Sequence, residues 1–353
     1  MNTPSIPVMR PLLAPLDHVY GYLSQVYSNG VYTNNGPLIN KLEERYADYL
    51  HVDPQLVVAS SSATLALEGA VRLSKANIFN VPSYTFSAPA LAVLNAGKKI
   101  VFNDIDPNKW QMDVSAIPNT YEQGLMYVLP FGSEIIDSKV YEFENVIIDA
   151  AASLGNRNLD LSRIKPNWVF VFSLHATKVL GIGEGGISVF GSPAAAQEYR
   201  AWINFGFSGN RNSDFSGTNA KMSEISAAFG LSSLDLIETE FSDWQQARDL
   251  TNSIEADLRL KSFSRRQPGA NPYWIVDFES PERKIEVIQK LSFAGIQSRD
   301  WWSQGCHKMT IFNEFTQGLT FPNTDEISDQ TLGLPFFRGL SEAHRDSIYE
   351  CLK

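Results

Sequence analysis

The chain has 353 residues, of which 44% are hydrophobic and 19% charged, an ordinary globular composition that excludes wholesale disorder and is long enough for two domains. Its net charge of −10 argues against nucleic acid and anionic membrane as partners, because their charge repels an acidic protein. Cys306 and Cys351 are too few for a disulfide framework or a metal cluster, no signal peptide is evident and no apolar run reaches spanning length, so a cytoplasmic protein without a bound metal is the expectation.

From about Leu56 to Phe190 short apolar runs alternate with helical patterns. The runs "LVVAS", "IFNVP", "KKIVFND", "LMYVLP", "NVIIDA", "WVFVFS" and "GISVFG" predict buried strands rich in Val, Ile and Phe. Amphipathic stretches such as "SSATLALEGAVRLSKA" and "TFSAPALAVLNAGKK" lie between several of them. That alternation predicts an α/β fold, a large domain with a mostly parallel mixed sheet flanked by helices. Beyond about Leu236 the pattern changes to a long polar helix ("ETEFSDWQQARDLTNSIEADLRL"), an isolated strand ("PYWIVDFES"), a helix ("PERKIEVIQKLSFAG") and a closing helix ("LSEAHRDSIYECLK"). The expectation is a large domain over residues 1–236, including the N-terminal segment, and a smaller α+β domain over 237–353.

The stretch "SLHATKVLGIGEGG" holds two competing patterns. Gly181 to Gly186 fits G-x-G-x-x-G, but a dinucleotide loop needs a helix after its glycines, and here the strand pattern "ISVFG" follows. The glycines therefore predict a tight turn, and Lys178 becomes the residue of interest: taken alone it reads as an ordinary surface lysine, but a lysine beyond a strand end also suits Schiff-base chemistry when its charge is destabilised. Asp149 closes the apolar run "NVIID", where a carboxylate needs either a cationic partner, such as a protonated ring nitrogen, or a helix to cap. Ser60 to Thr64 lead from a strand into a helix, forming an N-terminus suited to a phosphate or simply a good cap. Phe86, after another strand, is either core or a ring to stack on a cofactor.

Together these residues resemble the DegT/DnrJ/EryC1/StrS sugar aminotransferase family, of aspartate-aminotransferase fold (fold type I for pyridoxal phosphate), over nearly the whole chain. The family signature S-F-H-x-x-K followed by G-E-G-G appears as Ser173-Leu174-His175-Ala176-Thr177-Lys178 and Gly183-Glu184-Gly185-Gly186. "IIDAAASLG", "GTNAKMSEISAAFGLSSLD" and "LGLPFF" support it. The resemblance implies pyridoxal 5'-phosphate as cofactor, an internal aldimine with Lys178, and Lys178 as the catalytic acid–base group. It implies that Asp149 holds the pyridine nitrogen, that Ala63, Thr64 and Ser173 bind the phosphate, and that Phe86 and Ala151 cover the two faces of the ring. Asn219 would reach the cofactor of a second subunit, which implies a homodimer with shared sites. His175 is read as structural. Asn35 and Glu184 are expected among the substrate contacts. Two departures stand out. Ala152 occupies a slot where the family carries Gln or His, which implies a tuned site. "GIQSRDWWSQGCH" places Arg299, Trp301, Trp302 and His307 in a cationic and aromatic cluster, expected to touch the nucleotide or diphosphate of a substrate; a packed loop with Arg over Trp is the alternative.

The implied reaction is amination of a nucleotide-linked keto-deoxysugar, with dTDP-4-keto-6-deoxy-D-glucose the leading substrate and L-glutamate the donor, in O-antigen or related glycan synthesis. A 3-keto sugar and a non-catalytic, cofactor-binding regulator are the alternatives. A dehydrating branch of the fold replaces the lysine by histidine, and Lys178 argues against it.

Overall fold

A computed structural model describes residues 6–263 and 269–353. Seven strands form the main sheet: β1 (Val57–Ser60), β2 (Ile78–Pro82), β3 (Lys99–Asn103), β4 (Gln123–Val128), β5 (Asn145–Asp149), β6 (Trp168–Ser173) and β7 (Gly186–Phe190). Their order is β1-β7-β6-β5-β4-β2-β3, parallel from β6 through β3, with β7 antiparallel to both β6 and β1. These are the seven runs expected from sequence. The lone reversal has a simple cause: the 174–185 connection contains no helix, and without a crossover element a strand can only return antiparallel.

Alternate residues of each strand feed two separate cores, which is why the strands are apolar on both faces. Val57, Ala59, Tyr127, Ile148, Phe170 and Ile187 face α2 (Pro37–Leu50) and α6 (Glu224–Asp235). Val58, Met126, Ile147, Val169 and Val171 face α3 (Ala63–Leu73), α4 (Ser87–Asn95) and α5 (Pro193–Trp202). α1 (Leu16–Asn29) packs on α6. The start of α2 is capped from a distance: buried Glu224 accepts from the amides of Leu38 at 2.8 Å and Ile39 at 3.0 Å.

The long polar helix is present as α7 (Ile237–Leu258). A small antiparallel sheet follows, in the order β10-β9-β8, from β8 (Lys261–Ser262), β9 (Ile275–Asp277) and β10 (Thr331–Gly333). The rest comprises α8 (Pro281–Phe293), the short α9 (Asn313–Thr316), α10 (Pro322–Gln330) and α11 (Glu342–Leu352). The N-terminal segment lies against this part, through a bridge of Ile6 to Ile296 and a bond from the Phe336 amide to the Val8 carbonyl.

Candidate active site

β1, β2, β4, β5 and β6 end on the same edge of the sheet, and the residues just beyond each line one cavity of about 420 Å³. Ser62, Ala63 and Thr64 come from the start of α3, Thr85 and Phe86 from beyond β2, Phe131 from beyond β4, Asp149, Ala151 and Ala152 from the end of β5, and Ser173, His175, Thr177 and Lys178 from the end of β6. Such carboxyl ends are where open α/β sheets collect ligands. Glu184, Tyr273, Arg299, Trp301 and Trp302 close the rim.

Lys178 stands on a tight return rather than on a helix. The Leu174 and Ala176 amides donate to the Gly185 and Gly183 carbonyls at 3.0 and 2.8 Å, and the Lys178 amide donates to the His175 carbonyl at 2.8 Å. Leu180 adopts φ 59°, an unfavourable value for a branched residue, and its amide is pinned by the buried Glu240 carboxylate at 2.9 Å. The glycine run has steric causes. Gly183 adopts φ +110°, and a Cβ on Gly186 would lie 2.8 Å from the Ala63 amide nitrogen, where β7 passes the start of α3. Lys178 Nζ donates to the Tyr273 hydroxyl at 2.5 Å.

Asp149 is 6% exposed, and its Oδ1 accepts from the Ala151 amide at 2.9 Å. Turns rather than a helix follow it, so the capping alternative does not hold. Burial pushes its carboxyl up to about 6, against the bond from Ala151 and the nearby charge of Lys178. A buried acid in this state calls for a cation from the cavity. On the opposite wall, Ser62 caps α3 by accepting from the Leu65 amide at 3.3 Å, and the first-turn amides of Ala63 and Thr64 have no partner within the helix. A lysine, a buried carboxylate and a helix N-terminus around one cavity fit the amine-reactive carbonyl, ring nitrogen and phosphate of pyridoxal phosphate.

Twelve other expected site residues are placed as follows. Ala63, Thr64, Ala151 and Ser173 line the cavity with Lys178 and Asp149, and Phe86 lines it from the lip at 57% exposure. Arg299 and Trp301 line it, and the guanidinium stacks 5.0 Å over the Trp301 ring, as the packed-loop alternative has it. Trp302 lines it with part of its surface, its ring stacked on Phe131 at 4.0 Å. Three residues fall outside the cavity of their own chain. Asn35 sits at φ 56° in the bend before α2, and Asn219 is exposed and accepts from Lys221 Nζ at 2.7 Å. His307 corrects the expected cationic cluster: its ring is buried against Phe321, bonded to Asp325 at 3.1 Å, and held below its usual range by burial. Glu184 is at the rim, with His175 Nε2 3.8 Å from its carboxylate. His175 itself is exposed, not part of the buried frame, and bonds Thr177 Oγ1 at 2.9 Å.

Tyr273 had no signal in the sequence, because it approaches Lys178 only through the fold.

A family model for the DegT/DnrJ/EryC1/StrS aminotransferase family matches residues 17–353. The chain is 31% identical to a dTDP-4-amino-4,6-dideoxy-D-glucose transaminase of Escherichia coli, covering 97% of this chain and 96% of that one. It is 22% identical to a GDP-perosamine synthase of Vibrio cholerae over 99% and 98% of the two chains. A solved structure of DesI in the presence of its TDP-sugar product superposes with a TM-score of 0.85 at 26% identity, over 100% of this chain and 94% of that one. The chain therefore belongs to the DegT/DnrJ/EryC1/StrS aminotransferase family and is a pyridoxal-phosphate-dependent sugar aminotransferase.

Proposed function

We propose that this enzyme moves the amino group of L-glutamate to a keto carbon of a nucleotide-linked 6-deoxyhexose, dTDP-4-keto-6-deoxy-D-glucose before others, for O-antigen or related glycan synthesis. The observation that carries the reading is the convergence of Lys178, Asp149 and the start of α3 on one cavity. Its rim of Arg299 and Trp301 suits a diphosphate and a base, through charge and ring stacking. The similarity to the E. coli transaminase and to DesI favours the dTDP sugar, and the similarity to the perosamine synthase makes GDP the competitor to test.

Pyridoxal phosphate, when bound, supplies the electron sink that stabilises negative charge on the carbon losing its proton. Asp149, buried in the cavity wall, would keep the ring nitrogen positively charged. Ala63, Thr64 and Ser173 hold the phosphate through amides and a hydroxyl, which fixes the register of the ring against Lys178. Lys178 Nζ takes the proton from the donor carbon and returns it one position away, a task suited to an amine that is freed beside the reacting atoms. Phe86 and Ala151 cover the ring faces, and Glu184, Arg299, Trp301 and Trp302 meet the sugar nucleotide, while Asn35, outside the cavity of its own chain, would reach it only from a second copy.

We also infer a homodimer. Leu16, Tyr20 and Tyr27 on α1 are 69–75% exposed, and Asn219 lies outside the cavity of its own chain. Those features suit a second copy that completes each site.

The test is a single turnover. Mixing the yellow loaded protein with L-glutamate should convert its spectrum to the pyridoxamine form, and a keto sugar should then restore it. Comparing 4-keto with 3-keto sugars, each on dTDP and GDP, decides the carbon and the nucleotide. A spectrum that stays unchanged with every amino donor would replace transamination by the regulator reading.

A further inference from the structure

We propose that Tyr273 is the positioning residue for Lys178, its hydroxyl fixing the amine from the side where Ala152 offers no polar atom. The proposal rests on the reading of Lys178 as the acid–base group. Lysine carries its amine on a flexible four-carbon stem, so accurate proton transfer needs something to fix the nitrogen. Here Nζ is 2.5 Å from the Tyr273 oxygen and 5.0 Å from the centre of its ring, across a sequence separation of 95 residues.

Tyr273 is itself held in place. It is 7% exposed, its amide donates to Asn271 Oδ1 at 2.9 Å, and the Asn271 side-chain amide donates to the Phe131 carbonyl. Its ring meets Phe131 edge-on at 5.3 Å and Trp301 edge-on at 5.0 Å. Ala152, Phe131 and Tyr273 belong to one apolar cluster, so the turn after Asp149 presents a methyl group on this side of the cavity. The phenol supplies the polar atom instead. It accepts from an ammonium and donates to a free amine, so it holds the nitrogen in both protonation states without adding a charge.

Packing alone would serve as well with phenylalanine, so Tyr273→Phe separates the two roles. The variant keeps the ring contacts and loses only the hydroxyl. It is expected to melt within a degree or two of the unaltered protein and to retain cofactor. The pH midpoint of its colour, which reports protonation of the lysine nitrogen, should fall by about one unit, because the bond the phenol accepts from the charged nitrogen is stronger than the one it donates to the neutral nitrogen. The glutamate half-reaction should slow by about 10-fold or more in rate, with little change in glutamate affinity. An unchanged midpoint and rate in the folded, loaded variant overturn the proposal. If the variant does not fold or load, protein grown with 3-fluorotyrosine keeps every ring in place and acidifies the phenol; a midpoint unmoved there also overturns it. The colour titration needs no substrate, so it reads Tyr273 even if the unaltered protein proves unreactive to every amino donor, which would sink the transaminase reading instead.

Discussion

Asp149 contributes to the pH response of the cofactor-free protein, alongside the buried Glu43 and Glu240, whose carboxyls burial also raises. Folding raises the Asp149 carboxyl from 3.8 to about 6, so the folded chain binds that proton more tightly than the unfolded one. Stability from this group is therefore full below about pH 4, falls as pH climbs to about 6, and stays reduced above; a rise of roughly two units corresponds to about 3 kcal/mol. Asp149→Asn should remove that loss, melting higher than the unaltered apoprotein at pH 7–8 while binding pyridoxal phosphate far more weakly. Thermal melts across pH, with and without cofactor, check both halves. Lys178→Ala should load cofactor without the lysine-linked colour and lose turnover by at least about 1,000-fold, measured with glutamate and keto sugar. Asp149 was legible as a carboxylate ending an apolar strand, and Lys178 only in company, since a lone lysine beside glycines looks like a surface residue until Asp149 and the signature over 173–178 are read with it. His307 was misread for the opposite reason. A histidine near Arg299 and two tryptophans has the composition of a binding cluster, and only the packing against Phe321 and Asp325 shows that its ring faces inward. Tyr273 sits in the strand-like "PYWIVDFES" as one aromatic among several, and nothing local marks it as the neighbour of a lysine 95 residues away.

At the scale of elements, two helix starts carry different burdens. The start of α3 faces the cavity, and Ser62→Ala should cost about 1 kcal/mol of stability through the lost cap, together with weaker phosphate retention, seen by equilibrium unfolding and by dialysis of the loaded protein. The start of α2 depends on Glu224 from α6, whose carboxylate takes two amides in a dry setting. Glu224→Ala leaves those amides buried and should cost about 3 kcal/mol, whereas Glu224→Gln keeps one acceptor and should cost about 1 kcal/mol. The strands and the helices of the α/β part were readable because periodicity reports burial directly. The direction of β7 was not read from the sequence, where the glycines predicted only a tight turn; the connection without a helix explains it once the pairing is seen. The distant cap of α2 was not legible either, since a Glu beside "ISAAFG" looks like an ordinary first-turn acid.

Across the whole molecule, the small sheet and the N-terminal segment matter because they bring Tyr273, Arg299 and Trp301 over a cavity built by the large sheet. No helix among the described residues is long and apolar enough to cross a membrane. The proposed homodimer with shared sites predicts that two defective chains repair each other. Lys178→Ala and Asn219→Ala, each impaired alone, should regain up to about a quarter of full activity when unfolded and refolded together, since one hybrid site receives both intact residues. Activity in the mixture equal to the mean of the separate preparations would count against shared sites. Leu16→Glu on α1 should shift the protein toward monomer in sedimentation.

The reversed strand also dictates when this site can come into being. In the sheet β1 neighbours β7, with Ser60 and Gly186 separated by 126 residues. A chain emerging from the ribosome thus displays the start of α3 early, and the lysine late, but cannot bring them together until Gly186 has been made. The amine and the start of α3 therefore share one frame only in chains that extend past Gly186.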